Sequence, residues 1–451
     1  MKSKKSVQKN YTLLYPRIVA AGFAAIILAG ALVLMLPVSL KSGSISFIDA
    51  LFTATSATCV TGLIIYDTFQ KFTLFGQLVI LVMIQIGGLG FITILSVFVR
   101  MVKRRMGLRE KMLVKESVSS VSFGDVKELS RMAIKFTAMC EIAGAVILCC
   151  RFIPQMGLKN GLYTSVFLSV SAYCNAGFDV LGRIEAKSSL VHFNSDPVVI
   201  LTISALIIMG GLGFIVWQDI KENKFHIKKY KLHSKLVIST SALLLAGGTV
   251  LFFIFESSNT LAEMNFFDKI MNAFFASVTP RTAGFNSIDV NAMTSPSKAL
   301  TVFLMLIGGS SGSTAGGIKT TTLAVLALCT HSNLRGKNDI EVFGRRLDDS
   351  AAKKAVTLAV LNIAQITVAS FIICAVQSEF SFIDVLIETS SAMGTVGMTA
   401  GITPQLNTLS ELIITMLMFV GRLTTLVFAF MFITPKAQAK VQKPQEKIFV
   451  G

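Results

Sequence analysis

The chain has 451 residues, of which 53% are hydrophobic and only 15% are charged. Soluble domains carry about 25% charged residues, so this composition excludes an ordinary soluble protein and predicts an all-α polytopic membrane protein. Of the 42 Lys and Arg residues, 32 lie in five segments: 1–17, 100–135, 218–235, 319–354 and 435–451. This clustering follows the positive-inside rule. It predicts cytoplasmic termini and linkers, and it explains the net charge of +17 without nucleic acid as a partner.

Apolar runs of spanning length follow one another along the chain and are clearest at 18–40, 74–99, 198–217, 236–255 and 412–433. The first run lacks a small-residue cleavage site, so it is predicted to be a retained helix in the lipid bilayer. Runs and linkers divide the chain into a tail (1–16), unit 1 (17–103), a linker (104–131), unit 2 (132–218), a linker (219–231), unit 3 (232–330), a linker (331–350), unit 4 (351–434) and a tail (435–451).

Each of the four units contains a similar segment that ends in glycine: FTATSATCVTG, FLSVSAYCNAG, FFASVTPRTAG and IETSSAMGTVG. Their last residues, spaced 115, 107 and 113 positions apart, are Gly62, Gly177, Gly284 and Gly397. A second glycine marker follows in each unit, at Gly87, Gly210, Gly308 and Gly421. This repeat predicts four membrane–pore–membrane units, with eight transmembrane helices and four re-entrant pore helices around a pseudo-fourfold pore.

The segments before these glycines are too short to cross a membrane, since Gly62 lies only 13 residues after Asp49. They are therefore predicted to be re-entrant helices that surround a water-filled cavity. Asp49, Asp268 and Asp384 near three of the helix starts each stabilise a helix dipole by about 0.3–1 kcal/mol. The opposite, partially negative ends then point to the pore axis, where they favour a cation.

Glycine lacks Cβ and adopts positive φ, which lets successive carbonyl groups face one axis and replace the water shell of an ion. A lone glycine is better explained by a tight turn or a helix contact, whereas four in register favour a selectivity filter. The predicted ion-binding residues are Val60, Thr61, Gly62, Asn175, Ala176, Gly177, Thr282, Ala283, Gly284, Thr395, Val396 and Gly397.

Unit 3 differs within its second helix, where residues 308–317 hold five glycines and four Ser or Thr. Each Gly costs a helix about 0.8–1.0 kcal/mol relative to Ala, so an intramembrane loop is predicted here. Below a filter such a loop obstructs ion flow and acts as a gate; the alternative is a close helix-packing surface. The predicted gate residues are Gly308, Gly309, Ser310, Ser311, Gly312, Ser313, Thr314, Ala315, Gly316, Gly317 and Arg422.

Arg422 lies deep in an apolar run, where a charge costs at least ~2.5–3.5 kcal/mol on insertion scales. Two roles remain open: repelling cations beside the pore, or pairing with a carboxylate or with loop carbonyls. Glu141 also lies in an apolar run, and the sequence does not decide between a polar partner and a protonated, lipid-adjacent state. Arg281 is expected just outside the pore helix of unit 3, where it supports the loop geometry.

From residue 17 to residue 433 the chain resembles the Trk/Ktr/HKT superfamily of potassium and sodium transporters. The motifs that carry the resemblance are ATCVTGL, NAGF, TPRTAGFN, GTVG, QIGGLGF and GGSSGSTAGGIK. The short basic N-terminal tail favours the bacterial Ktr branch, because Trk-type chains usually carry an additional helix pair. Gly62 favours potassium, since some sodium-preferring relatives have serine at this position.

The resemblance further implies a potassium uptake subunit that forms a homodimer in the bacterial cell membrane. It implies a cytosolic ring of RCK-type nucleotide-binding regulatory subunits, K+ as the substrate, and Na+ as an activator or co-ion. The chain itself is expected to bind no cofactor. Its seven cysteines have no C-x-x-C spacing, so no metal centre is expected beyond K+ at the filter carbonyls.

Three alternative functions differ in how well they fit the sequence. A sodium-permeable or weakly selective cation transporter of the same family stays open. A secondary transporter for an organic solute is disfavoured, because units with an even number of crossings share one orientation, unlike inverted repeats. An enzyme is disfavoured because none of the four histidines lies in a spanning run and no nucleophile–base constellation is present.

Overall fold

The computed structural model describes residues 2–105, 123–224, 226–336 and 339–423. Besides single-turn 3₁₀ helices, units 1 and 2 contain α1 (Lys2–Leu34), α2 (Phe47–Thr58), α3 (Thr68–Lys71), α4 (Leu74–Arg105), α5 (Phe123–Met156), α6 (Leu158–Cys174), α7 (Pro197–Gly211) and α8 (Phe214–Asn223). The remaining elements are α9 (Leu232–Glu256), α10 (Phe266–Val278), α11 (Ser295–Leu306), α12 (Thr320–Leu334), the strands β1 (Glu341–Val342) and β2 (Arg345–Arg346), α13 (Asp349–Val376), α14 (Phe382–Gly394) and α15 (Thr408–Leu423).

The two strands form an antiparallel hairpin in which Glu341 pairs with Arg346 and Val342 with Arg345. Most of the first predicted linker, the end of the last predicted apolar run and the C-terminal tail lie outside the described residues.

Three helices of the described ranges are long and apolar enough to cross a membrane: Ser130–Met156, Leu232–Glu256 and Ser350–Val376. A fourth is present if α7 and α8, which meet at a bend of 93°, form one span. Val19–Leu34 and Leu74–Gly90 are shorter apolar helices. The protein is therefore an all-α polytopic membrane protein, whereas the number of eight crossings stays a prediction.

The short helices α2, α6, α10 and α14 form the buried centre of the fold. Every residue of α2 from Phe52 to Thr58 is buried, although four of these seven carry hydroxyl groups. Large apolar side chains of the long helices are exposed instead, such as Ile142 on α5 and Leu243 on α9. This distribution is the one expected where lipid covers the outside and small polar residues allow close helix contact inside.

The predicted acids at the helix starts are confirmed, since Asp49, Asp268 and Asp384 each lie in a first turn. At α2 the backbone N–H of Asp49 donates to Ser46 Oγ at 3.1 Å, and Tyr66 donates to the Asp49 carboxylate at 2.9 Å. A side-chain cap of this kind satisfies one free N–H of the first turn. Ser46 thus caps the helix start, and the Asp49 carboxylate binds Tyr66 in the connection that follows the helix.

The apolar run 198–217 was predicted as one span, but the helix breaks inside it. Gly213 between α7 and α8 has φ of 91°, which disfavours any residue with a Cβ. The N–H of Phe214 donates at 2.9 Å to Gly312 O of unit 3. Because a distant carbonyl replaces the one in the helix, the chain turns here without losing a backbone hydrogen bond.

Glu256 is the last residue of α9, and its carboxylate binds both the connection that follows α9 and Thr294, which precedes α11. These bonds support a stability prediction. The carboxylate is fully buried and accepts bonds from Asn259 Nδ2 at 2.9 Å, Thr260 Oγ1 at 2.7 Å, and the Thr294 N–H and Oγ1 at 2.9 and 2.8 Å. Glu256→Ala leaves these donors without their acceptor, so we expect the free energy of unfolding to fall by about 1–3 kcal/mol.

The measurement is the thermal unfolding midpoint of the detergent-purified protein. Glu263→Ala is the control, because Glu263 is exposed in the same connection. Equal midpoints for the two variants would contradict the assignment of a fixing role to Glu256.

Candidate functional site

The four repeated glycines form a closed ring, called here the glycine ring. A Cβ atom built on each glycine would collide with the carbonyl oxygen of the residue that precedes the next glycine. For Gly62, Gly177, Gly284 and Gly397 in turn, the oxygens and distances are Ala176 at 2.5 Å, Ala283 at 2.7 Å, Val396 at 2.4 Å and Thr61 at 2.2 Å. Each unit therefore packs against the next, and unit 4 closes the ring on unit 1.

The backbone of all four segments follows the same unusual path. The ring glycines have φ of 98°, 68°, 81° and 95°, as the sequence predicts. The residue two positions before each glycine also has positive φ: Val60, Asn175, Thr282 and Thr395 at 58°, 60°, 76° and 52°. Three of these residues are β-branched, and the left-handed conformation costs an L-residue about 1–2 kcal/mol. Backbone strain of this kind persists only where the surrounding structure imposes it, often at functional sites.

The backbone polarity of these segments suits a cation. The N–H groups of Thr61, Ala176 and Val396 each donate at 2.8 Å to a serine carbonyl of the short helix before them, and Ala283 N–H donates to Thr279 O at 3.0 Å. Within the described ranges, no hydrogen bond is accepted by the carbonyl oxygens of these four residues. In this part of the chain the four oxygens are therefore free of hydrogen bonds to the protein, as the predicted ion-binding role requires.

The second glycine marker has a structural explanation in three units. A Cβ atom on Gly87, Gly210 or Gly421 would lie 2.0–2.1 Å from a carbonyl oxygen at the end of a short helix, which belongs to Thr58, Tyr173 or Met393. These residues lie four positions before their ring glycines. Glycine thus lets the second helix touch the helix that supports the ring. Unit 3 has Pro280 at this position, and a Cβ atom on its Gly308 would instead lie 2.1 Å from Gly316 O.

The break predicted in unit 3 is present, because α11 ends at Leu306 and α12 begins at Thr320. The break is thus confirmed, whereas the choice between a gate and a close helix-packing surface stays a prediction. This intramembrane loop reaches the glycine ring, since a Cβ atom on Gly316 would lie 2.0 Å from Thr395 Oγ1. It also makes internal bonds, among them Ser310 Oγ to Thr320 Oγ1 at 3.1 Å.

The loop is bonded to the bend of unit 2 through backbone groups. The N–H of Ser310 donates to Gly211 O at 2.9 Å, and that of Thr314 donates to Gly210 O at 3.4 Å. In the other direction, Phe214 N–H donates to Gly312 O at 2.9 Å. The broken end of α7 and the loop therefore complete each other's backbone hydrogen bonding.

Two basic side chains bind carbonyl oxygens of the loop. Arg422 donates to Thr314 O and to Gly87 O of unit 1, which favours loop carbonyls over a carboxylate as its partners. Lys319 Nζ donates to Ala315 O at 2.8 Å and Gly316 O at 3.0 Å. The role of Lys319 was missed from the sequence, although a lysine directly after a glycine-rich stretch was an available signal.

Glu141 and Arg281, two further charged residues in or beside apolar runs, contact neighbouring helices. Glu141 accepts from Gln85 Nε2 of unit 1 at 3.3 Å, so it has a polar partner. Arg281 lies three residues beyond the end of α10, as expected, and is only 7% exposed. Its guanidinium donates to Ser241 Oγ on α9 at 2.9 Å, away from the ring.

An acid two residues beyond Gly177 was also missed. Burial raises the pKa of the Asp179 carboxyl to about 7, although a bond from Leu181 N–H lowers it, and the Asp67 carboxylate raises it as well. The negative charge beside this segment therefore decreases as the pH falls through neutrality.

The sequence profile of the family described as "TrkH: Cation transport protein" matches residues 10–443. The Potassium/sodium uptake protein NtpJ of Enterococcus hirae is 42% identical, with 99% of both chains covered. Ktr system potassium uptake protein B of Bacillus subtilis is 40% identical over 97% of this chain and 96% of its own. The crystal structure of the potassium transporter TrkH from Vibrio parahaemolyticus matches with a TM-score of 0.73 and 18% identity, covering 93% of this chain and 84% of that one. At this identity the match establishes a shared fold.

The contact of Gly87 predicts a specific packing defect. Gly87→Ala places Cβ 2.0 Å from Thr58 O, so we expect helix displacement to lower the free energy of unfolding by about 1–3 kcal/mol. Thermal unfolding of the purified protein measures this change. Gly22→Ala is the matched control, because no atom lies within 4 Å of its added Cβ and Ala favours a helix. A Gly87→Ala midpoint at or above that of Gly22→Ala would refute the packing role.

Proposed function

Because the chain belongs to the TrkH family of cation transport proteins, we propose that it is the ion-conducting membrane subunit of a Ktr-type potassium uptake system. The observation that carries this proposal is the closed ring of four glycines with four unbonded carbonyl oxygens beside them. Relatives named for potassium uptake, at 40–42% identity over nearly the whole chain, support the choice of substrate.

In this mechanism a potassium ion sheds water onto the carbonyl oxygens of Thr61, Ala176, Ala283 and Val396. The oxygens keep their positions because the N–H groups of the same residues are bound to the short helices. The C-terminal ends of these helices add partial negative charge. The inward-negative membrane potential drives uptake with about 2.3 kcal/mol per charge per 100 mV. The intramembrane loop, lying against Thr395, gates the path.

A sodium-permeable or weakly selective transporter is the second candidate. One observation favours it: side chains differ in all four filter segments, so the ring lacks the regularity of a symmetric channel. The name of the Enterococcus hirae relative also includes sodium.

The assembly is part of the proposal. It comprises a homodimer in the bacterial cell membrane, both termini in the cytoplasm, a cytosolic RCK-type regulatory ring, and sodium as activator or co-ion, with no cofactor held by this chain. The positions of the basic segments support this orientation, and the similarity to a relative named as part of a Ktr system supports a multi-subunit assembly.

The proposed function predicts that this protein rescues the growth of a bacterium that lacks its own potassium uptake, at micromolar to millimolar potassium.

In proteoliposomes, Gly397→Ser should lower the ratio of rubidium to sodium flux by at least about tenfold, because its Cβ would lie 2.2 Å from Thr61 O. Gly247→Ser is the control, with no neighbour within 4 Å of its Cβ. Absence of potassium flux in the wild type would refute the proposed function. An unchanged rubidium-to-sodium ratio in Gly397→Ser would contradict the filter assignment.

The gate predicts a gain of transport. Deleting residues 308–317 should raise rubidium flux and uncouple it from regulation. Arg422→Gln should raise the flux by about tenfold, because it releases Thr314 O and Gly87 O from their hydrogen bonds. Initial rubidium uptake at matched protein amounts is the measurement. Lys269→Gln is the control, since Lys269 donates to a backbone carbonyl, Ser257 O, remote from the loop. Unchanged flux in a well-expressed deletion variant would count against a gating role.

A further inference from the structure

Glu388 is a buried carboxyl group behind the fourth filter segment. It lies on α14, nine residues before Gly397, and has 0% exposure. The equivalent positions of the other units hold Thr53, Leu168 and Phe275. No other acid lies beyond the first turn of the four short helices α2, α6, α10 and α14. Unit 4 therefore differs from the others at this position of the short helix.

The carboxyl group links α14 to the chain that leaves the filter. Thr403 Oγ1 donates to Glu388 Oε1, and the hydroxyl oxygens of Thr403 and Thr399 lie 2.9 Å apart. Thr399 Oγ1 also accepts from the N–H of Gly401 at 2.9 Å. Thr399 and Thr403 are two and six residues after Gly397. The link thus joins α14 to the stretch of chain two to six residues beyond the ring glycine.

No counter-charge accompanies this carboxyl group in the described ranges. None of the ion pairs there includes Glu388, and Asp384, one turn earlier on α14, is itself paired with Lys298 at 2.9 Å. Glu388 Oε2 makes no hydrogen bond of normal geometry. An ionised carboxylate in such surroundings is strongly disfavoured. A neutral carboxylic acid keeps an acceptor oxygen for the Thr403 hydroxyl, and it can therefore hold the hydroxyl pair without a cation.

The position of the fourth filter segment matters because its neighbours in the glycine ring leave no space for displacement. A Cβ on Gly397 would meet Gly62 Cα at 2.9 Å, and one on Gly284 would meet Gly397 Cα at 3.0 Å. Any displacement of the fourth segment therefore changes its contacts with units 1 and 3 together. A group that fixes this segment from behind controls the spacing of carbonyls on both sides.

We propose that Glu388 is a positioning residue for cation selection, which holds the fourth filter segment against α14 as a neutral hydrogen-bonding acid through Thr403 and Thr399. This inference rests on the proposed transport function. It assigns discrimination between potassium and sodium to a hydrogen bond behind the ring, in addition to the ring glycines. The negative charge of a carboxylate is not required.

The test compares rubidium and sodium flux in proteoliposomes, because a flux ratio does not depend on the amount of active protein. Glu388→Leu should lower the rubidium-to-sodium ratio by about tenfold, the equivalent of one buried hydrogen bond. Glu388→Gln should retain the wild-type ratio, since an amide also donates and accepts. Ser390→Ala is the matched control, because Ser390 Oγ is buried on the same helix without a partner, and its ratio should not change.

A second pair of variants covers the case in which Glu388→Leu does not fold. Thr403→Val should lower the ratio, and Thr403→Ser, which keeps the hydroxyl group, should restore it. A low ratio in Glu388→Gln would overturn the proposal in favour of a charge effect. Unchanged ratios in both Glu388→Leu and Thr403→Val would overturn it as well. Absence of rubidium flux in the wild type would instead refute the proposed function.

Discussion

The fold depends on close contact between the backbones of the four filter segments at the centre of the protein. The packing of the surrounding helices follows from this contact. At the glycine ring the space that a Cβ would need is already taken by a neighbour's carbonyl. The segments keep their places because the short helices bind their N–H groups. Those helices in turn are held by second helices that carry glycine where they touch, as at Gly87 against Thr58. Contact without side chains is thus used twice, once within the ring and once where the second helices touch the short helices.

Unit 3 breaks this scheme, and the break connects all four units. The intramembrane loop bonds to unit 2 through the carbonyls of Gly210 and Gly211, and it touches unit 4 at Thr395. Arg422 then joins the loop to unit 1 at Gly87. Movement of the loop therefore changes its contacts with units 1, 2 and 4 together.

The sequence predicts the features that recur or that have a strong local cause. Four glycines in register predicted the ring, acids at the helix starts predicted the short helices, and a run of five glycines predicted the break in unit 3. Positive φ at Val60 and Thr282 was not predictable, because β-branched residues avoid this conformation unless tertiary contacts impose it. The bend at Gly213 was hidden within an apolar run, since its substitute acceptor, Gly312 O, lies about a hundred residues further along the chain. Glu388 was missed for the same reason: its partners follow the ring glycine, and one residue in a helix shows no periodicity.

The order of the units around the ring has a consequence for biogenesis. Gly397 packs against Thr61 and Gly62, and the bond from Arg422 to Gly87 joins residues 335 positions apart. While the ribosome is still making unit 3, the first filter segment therefore faces no neighbour on one side, and Thr61 O has nothing to pack against. The ring can therefore close only after the fourth filter segment has been synthesised. A chain interrupted before residue 397 lacks the segment that packs against Thr61 and Gly62, so it leaves the ring open.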